Sequence, residues 1–190
     1  MSRLWLVRHA QSTANAEGWL AGHRDAPLTL KGRSQARRLR PLLAEVAPAQ
    51  VLASDLARAA QTAALAWRDR QPPIEHEVGL RERDLGAWEG CPLEQLRATG
   101  GNARLLAWAD GPPGGESHRM LAERALRTLA ARAEGVDTLV FSHGGWIRTV
   151  VGLLDEVPHE RIGRIKIANV QVVVRDVEAG RFEALLETLG

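Results

Sequence analysis

Two apolar runs of strand length end in an imidazole. In "LWLVRHAQSTAN", residues 4–15, the run stops at Arg8-His9, and in "TLVFSHGG", residues 138–145, it stops at His143. A third run, "AQVLAS", leads through Ser54-Asp55 into a helical pattern whose first turn holds Arg58. Helical side chains lean toward the helix N-terminus, so Arg58 reaches back to the strand end it follows. Parallel sheets bind ligands outside the carboxyl ends of their strands. Two arginines and two histidines therefore gather at one sheet edge, beside helix N-termini that add partial positive charge. The cup suits an anion. Any one of these histidines alone reads as a hydrogen-bonded structural residue; the coincidence at three strand ends carries the functional reading.

The elements that must position these groups alternate between strand and helix. "RLWLVR", "AQVLAS" and "VDTLVFS" read as short buried strands. Thr29 caps a helix with Ala36, Leu39, Leu42, Leu43 and Val46 on one side, and Pro41 argues for a kink or break in it. Ser54-Asp55 offers cap chemistry for "LARAAQTAALAW", and Ser117 caps a helix to about Glu134. Residues 93 to 109 hold one or two short helices. "VQVVVRDVE" and "RFEALLE" suggest a closing hairpin that turns at Glu178 to Gly180. This order predicts an α/β fold, a three-layer α/β/α sandwich with a largely parallel central sheet. No repeat, linker or low-complexity segment divides it, so residues 1–190 are expected to form a single domain.

Composition excludes several classes. Of 190 residues, 45% are hydrophobic and 25% charged, ordinary values for a globular chain. No apolar run is long enough for a membrane span, and the first residues lack the order of a signal peptide. Cys91 is the only cysteine, so no internal disulfide forms, in keeping with a cytoplasmic setting. The formal net charge is only +2 and no aromatic platform accompanies the basic clusters, which argues against nucleic acid as a partner. Zinc could accept the two histidines and Glu82, but the adjacent arginines would repel a dication and no paired ligand spacing is present.

The segments then resemble, in order, the blocks of the histidine phosphatase superfamily, also called phosphoglycerate-mutase-like. "VRHAQSTAN" is similar to R-H-G-x-[ST]-x-x-N, with Ala10 where glycine is commoner; alanine is tolerated there if the backbone does not need a positive φ. "GHRDAPLTLKGRSQA", "SDLARAAQTA", "LRERDLGAWEG", "PPGGES" and "SHGG" resemble the blocks that follow. Six blocks in order, from residue 4 to 150, form a specific pattern.

The resemblance implies a phosphomonoester hydrolase that uses no metal or organic cofactor. His9 would accept the phosphoryl group, with Arg8, Arg58 and His143 lining the phosphate pocket and Asn15 contacting phosphate from the first helix. Glu82 would be the proton donor, its carboxyl kept protonated by burial or a neighbouring anion; Glu89, in "AWEG", competes for that role. Ser12, Thr13 and Gly22 would border the phosphate. His23, Arg24, Trp19, Arg81 and Trp108 could shape the substrate end or merely pack, while His76, His118 and His159 read as structural or solvated. The implied partner is a small phosphorylated metabolite or inorganic phosphate. The family also contains cofactor-dependent mutases, which carry a longer insertion where this chain has only Cys91 to Pro113. A non-catalytic phosphate-sensing module is the reading from another class. A homodimer is left open, as is which phosphomonoester is bound.

Overall fold

A computed structural model describes residues 1–189. Five strands, β1 Ser2–Arg8, β2 Gln50–Ala53, β3 Ile74–His76, β4 Thr138–Ser142 and β5 Val172–Val177, form one sheet in the order β3-β2-β4-β1-β5. The helices are α1 Thr13–Glu17, α2 Leu30–Leu42, α3 Ala57–Ala66, α4 Leu93–Ala98, α5 Asn102–Leu106, α6 His118–Ala133, α7 Gly144–Leu154, α8 His159–Ile162 and α9 Arg181–Thr188. All pairings are parallel except β1 with β5, which is antiparallel at one edge. The expected three-layer sandwich with a largely parallel sheet is the architecture found.

Strand side chains alternate between faces, and the two cores follow that alternation. Leu4, Leu6, Leu52 and Val140 pack on one face with Leu121, Leu129 and Ile147 of α6 and α7. Val7, Val51, Leu139 and Phe141 pack on the other with Leu39 of α2 and Ala63 of α3. With both faces covered, the only open positions along β1, β2 and β4 are the strand ends. The register aligns those ends, Arg8 opposite Ser142 and Ala53 opposite Phe141.

Three local expectations change. "RFEALLE" is helix α9, not the second arm of a hairpin. Phe182, Leu185 and Leu189 recur at helical spacing and are all buried, and Glu, Ala and Leu are strong helix formers. Gly180, at φ 76°, makes the turn out of β5. Second, Ser54-Asp55 does not cap α3 as expected. The Ala57 N–H donates to Asp25 Oδ1 from a distant loop at 3.0 Å, while Asp55 is taken up by Arg81. Third, α2 is shorter than its pattern: the break argued from Pro41 comes in its last turn, the helix ends at Leu42, and Val46 lies beyond it. Thr29 and Ser117 cap α2 and α6 as their types suggest, each accepting a backbone N–H three residues on.

Candidate active site

The end of β1 delivers His9 into a hydrogen-bonded frame. Its N–H donates to Ser142 O of β4 at 2.9 Å, and its carbonyl accepts from Asn169 Nδ2. The ring is 3% exposed, and Nδ1 lies 2.7 Å from Ala10 O. A carbonyl can only accept, so Nδ1 carries the proton and Nε2 of the neutral ring keeps its lone pair. Burial, then the charges of Arg58 and Arg8, push the His9 pKa down to about 3. Ala10 has no positive φ, which explains why alanine is accommodated there.

Arg58, in the first turn of α3, is 2% exposed and donates to Gly22 O at 2.7 Å and Arg24 O at 3.2 Å. The turn presenting those carbonyls is held by Glu89, whose carboxylate accepts the N–H groups of His23 and Arg24. Gly22 sits at φ 51°, and a Cβ there would fall 2.1 Å from Glu89 Oε1, so only glycine fits. Arg8 donates to Ile167 O at 2.6 Å, and its Nε is buried without a partner.

Glu82 lies beside the start of α7. Its carboxylate accepts the N–H groups of Gly145 at 3.0 Å, Trp146 at 3.1 Å and Arg83 at 2.9 Å. Burial alone would raise its pKa, but the N–H donors of Gly145 and Arg83 and the charges of Arg148 and Arg58 outweigh it, and the net shift is downward. Of the two causes expected to keep this carboxyl protonated, burial is thus outweighed, and only a neighbouring anion is left to do so. His143 also departs from expectation. It is fully buried, 5.2 Å from the His9 ring centroid to centroid, and does not itself line the cavity. Its Nε2 is 2.8 Å from Ser54 Oγ, and its Nδ1 has no partner.

Arg8, His9, Arg58 and Glu82 surround one end of a cavity of about 450 Å³. Asn15 and Gly22 also line it. The Asn15 side chain accepts from the Ser12 N–H and from Asn169 Nδ2, so its oxygen is committed to holding the loop after His9. Ser12 lines the cavity and caps α1; Thr13 does not line it. Of the residues considered for the substrate end, only Trp19 lines the cavity. Arg24 lies over the Trp19 ring, His23 Nε2 contacts Glu82 O at 2.7 Å, Arg81 pairs with Asp55, and Trp108 stacks on His159 at 4.1 Å. Glu89 is outside the cavity, which leaves Glu82 as its sole carboxylate.

Sequence reasoning passed over Arg83, Arg97, Asn102, Arg148 and His118, all of which line the cavity. His118, expected to be structural or solvated, is 3% exposed, and burial followed by the charges of Arg83 and Arg148 brings its pKa down to about 3. Arg148 had a usable signal: it lies four residues after Gly144, so its side chain turns back to the N-terminus of α7.

Comparison with known proteins gives the chain its relatives. A profile of the histidine phosphatase superfamily (branch 1) matches residues 4–188. The adenosylcobalamin/alpha-ribazole phosphatase of Escherichia coli (strain K12) is 34% identical over 172 residues, covering 87% of this chain and 85% of the relative. A 2,3-bisphosphoglycerate-dependent phosphoglycerate mutase of Gloeobacter violaceus is 33% identical over 199 residues, covering 98% of this chain and 91% of the relative. Among solved structures, a mycobacterial glucosyl-3-phosphoglycerate phosphatase in complex with VO3 superposes with a TM-score of 0.81 at 26% identity, covering 92% of each chain. Identity alone does not separate phosphatases from mutases here.

Proposed function

The chain belongs to the histidine phosphatase superfamily, and from that premise we propose that it hydrolyses a small phosphorylated metabolite through a phosphohistidine at His9. The observation that carries the reading is the state of His9: a neutral, buried imidazole whose Nδ1 is tied to Ala10 O, leaving Nε2 as the nucleophile. An imidazolium could not attack phosphorus. Arg8 and Arg58 give their anchoring hydrogen bonds to backbone carbonyls, not carboxylates, so their charge is available to the phosphoryl oxygens. Groups fixed in this way stabilise the transition state without reorganising.

In the proposed sequence, Nε2 of His9 forms a bond to phosphorus as the ester oxygen leaves. Glu82 protonates that oxygen and then, as carboxylate, takes a proton from the water that cleaves the N–P bond. Since Glu82 is ionised without a bound anion, the proton for the leaving alcohol arrives with the substrate. A phosphomonoester monoanion, or an encounter that protonates Glu82, satisfies this balance. His143 stands beside His9, its ring 5.2 Å from that ring and its Nε2 2.8 Å from Ser54 Oγ. Hydrolysis is favoured over mutase transfer because only the short α4 and α5 fill the interval in which mutases carry an insertion. The reading includes a cytoplasmic setting, supported by a lone cysteine and by the lack, among the described residues, of any helix long and apolar enough to cross a membrane.

The test is hydrolysis of p-nitrophenyl phosphate in chelator by wild type beside His9→Ala, with phosphorus-labelled ester to trap the intermediate. Turnover that survives chelation, and label retained on His9 after acid-free quenching, are expected. Loss of turnover on chelation overturns the cofactor-free route. Absence of any ester hydrolysis favours a sensing module, and transfer between phosphoglycerates with negligible release of phosphate favours a mutase.

A further inference from the structure

Glu82 stands on a stretch of chain with no secondary structure of its own. Residues 81–85 belong to no strand or helix, and Val78–Leu80 before them is a single 3₁₀ turn. Carbonyls in such a stretch have no ladder to join, so other donors must take them up. Gly79 O, Arg81 O and Glu82 O converge on one side chain of α6. Arg124 Nη1 donates to Gly79 O at 2.9 Å and to Arg81 O at 3.0 Å, and Nη2 donates to Glu82 O at 3.0 Å. Its Nε and the second N–H of Nη2 go to the carboxylate oxygens of Glu116, each at 2.8 Å. These bonds use all five guanidinium N–H groups.

Glu116 completes the strap from the other side. Its Oε2 also accepts the Asp84 N–H at 2.9 Å, and its own N–H donates to Asp84 O at 2.9 Å. Burial alone would raise the Glu116 pKa, but Arg124 and the Asp84 N–H outweigh it, and the net shift is downward. The pair is therefore ionised, and with side chains 23% and 16% exposed it is no ordinary surface bridge. Gly79 lets the chain lie this close to α6: a Cβ there would fall 2.0 Å from Thr128 Oγ1, one turn beyond Arg124.

We propose that Arg124, braced by Glu116, is a positioning residue for Glu82. It fixes the backbone from which that side chain starts, while the N–H groups of Gly145 and Trp146 fix the carboxylate at its other end. The inference rests on the phosphomonoesterase reading and adds to it two residues that do not line the cavity. The need is geometric, since a proton donor displaced by about 1 Å can lose about 10² in rate. An ammonium in place of the guanidinium has no planar fork and cannot span three carbonyls and a carboxylate. Trp146 Nε1 also reaches Gly79 O at 3.0 Å, and His23 Nε2 lies 2.7 Å from Glu82 O. Without Arg124 the loop thus stays on the body of the protein but loses its fixed place along α6.

The test uses the leaving group. Cleavage of an alkyl ester needs the proton of Glu82, and cleavage of p-nitrophenyl phosphate does not. In Arg124→Lys, kcat/KM for glycerol 3-phosphate is expected to fall by about 10²-fold, and p-nitrophenyl phosphate to lose far less. Glu116→Gln is expected to move the ratio of the two in the same direction by about tenfold. Because the readout is a ratio within one protein, a general loss of folded enzyme does not imitate it. An unchanged ratio in Arg124→Lys, whether both esters fall together or neither falls, overturns the proposal. Should that variant not fold, the ratio in Glu116→Gln decides in the same way. A second arm needs no turnover. The backbone amide resonances of Gly145 and Trp146 are expected to move in Arg124→Lys in the direction in which Glu82→Gln moves them; resonances coinciding with wild type overturn the proposal. If wild type hydrolyses neither ester while these amides move as expected, the hydrolase reading fails and the positioning role stands.

Discussion

The two ends of the cavity are built from different materials. At the phosphate end, His9, Arg58 and Glu82 stand on a strand end, the first turn of a helix and a loop clamped to another helix N-terminus. Each of the three is tied to backbone: His9 to Ala10 O, Arg58 to Gly22 O and Glu82 to the Gly145 N–H. At the far end, the walls come from α4 and α5, of six and five residues, joined through Gly100 and Gly101. Helices that short gain little from their own hydrogen bonds and depend on packing. The contrast assigns the two ends different work. Rigid groups at the first are suited to a reaction common to all phosphomonoesters. The second can vary in shape and charge without disturbing it.

The comparison is most exposed at the phosphate end, where the largest losses are expected and should fall on every ester alike. His9→Ala removes the nucleophile, and kcat should drop by about 10⁴-fold or more, the scale seen when a covalent nucleophile is deleted. Arg58→Met should cost roughly 10²–10³ in kcat/KM, as removal of one preorganised oxyanion donor does. Steady-state kinetics on two unrelated esters check both; a loss confined to one ester would mean that these groups recognise the alcohol, and the division of labour would collapse. Gly22→Ala tests the frame behind Arg58. The positive φ and the clash with Glu89 should displace the carbonyl that Arg58 uses, cutting kcat/KM by about tenfold.

Glu82 sharpens the comparison through pH. Its pKa is lowered, so the uncomplexed site has no proton to give, and one must arrive with the ester, on its monoanion or in the encounter that protonates Glu82. The second ionisation of a phosphomonoester lies near pH 6. From pH 6 to 8, kcat/KM for an alkyl phosphate should therefore fall about tenfold per unit. A flat profile across that interval would show that Glu82 holds its own proton and that the ionised state is wrong. Glu82→Gln should lower kcat by roughly 10²–10⁴ for alkyl esters, and less for p-nitrophenyl phosphate, whose leaving group needs no proton.

How much of this could be read from the chain alone follows the same division. His9 and Arg58 were legible because each sits at a change of period, where an apolar run stops and a turn or helix begins, whereas Glu82, in a loop, was identified only by the resemblance of its block to the family pattern. The reach of Arg58 followed from the lean of helical side chains. Arg148 obeys the same rule after β4 and was passed over because nothing in its surroundings marked it as polar. Arg83 and His118 had no such signal: what makes them cavity residues is the path of α4 and α5, which depends on tertiary packing. His143 stands at its strand end as read, with its ring 5.2 Å from that of His9, but a strand end locates a residue and not its depth, and this one is fully buried. The C-terminal segment failed for a simpler reason. Over seven residues, alternation and helical spacing overlap, and only the packing of Phe182 and Leu185 under α9 separates them.

The smallest expected effect links both ends through stability. His9 and His143 at one end and His118 at the other are all held neutral in the fold, chiefly by burial, with His9 and His118 brought down to about 3. An unfolded histidine titrates near 6.5. Between pH 6.5 and 3 the unfolded chain thus binds protons that the folded chain does not. Stability must fall as pH drops through this window and be insensitive to these groups above it. Each histidine contributes a slope of up to about 1.4 kcal/mol per pH unit. Urea denaturation midpoints from pH 6 to 5 avoid the carboxylates, whose lowered pKa values matter only further down. In that range His118→Gln should reduce the slope by about a third while costing no proton-linked stability at pH 8. A slope unchanged by the substitution would mean that His118 takes up a proton in the folded state. The far end would then carry a further positive charge in acid.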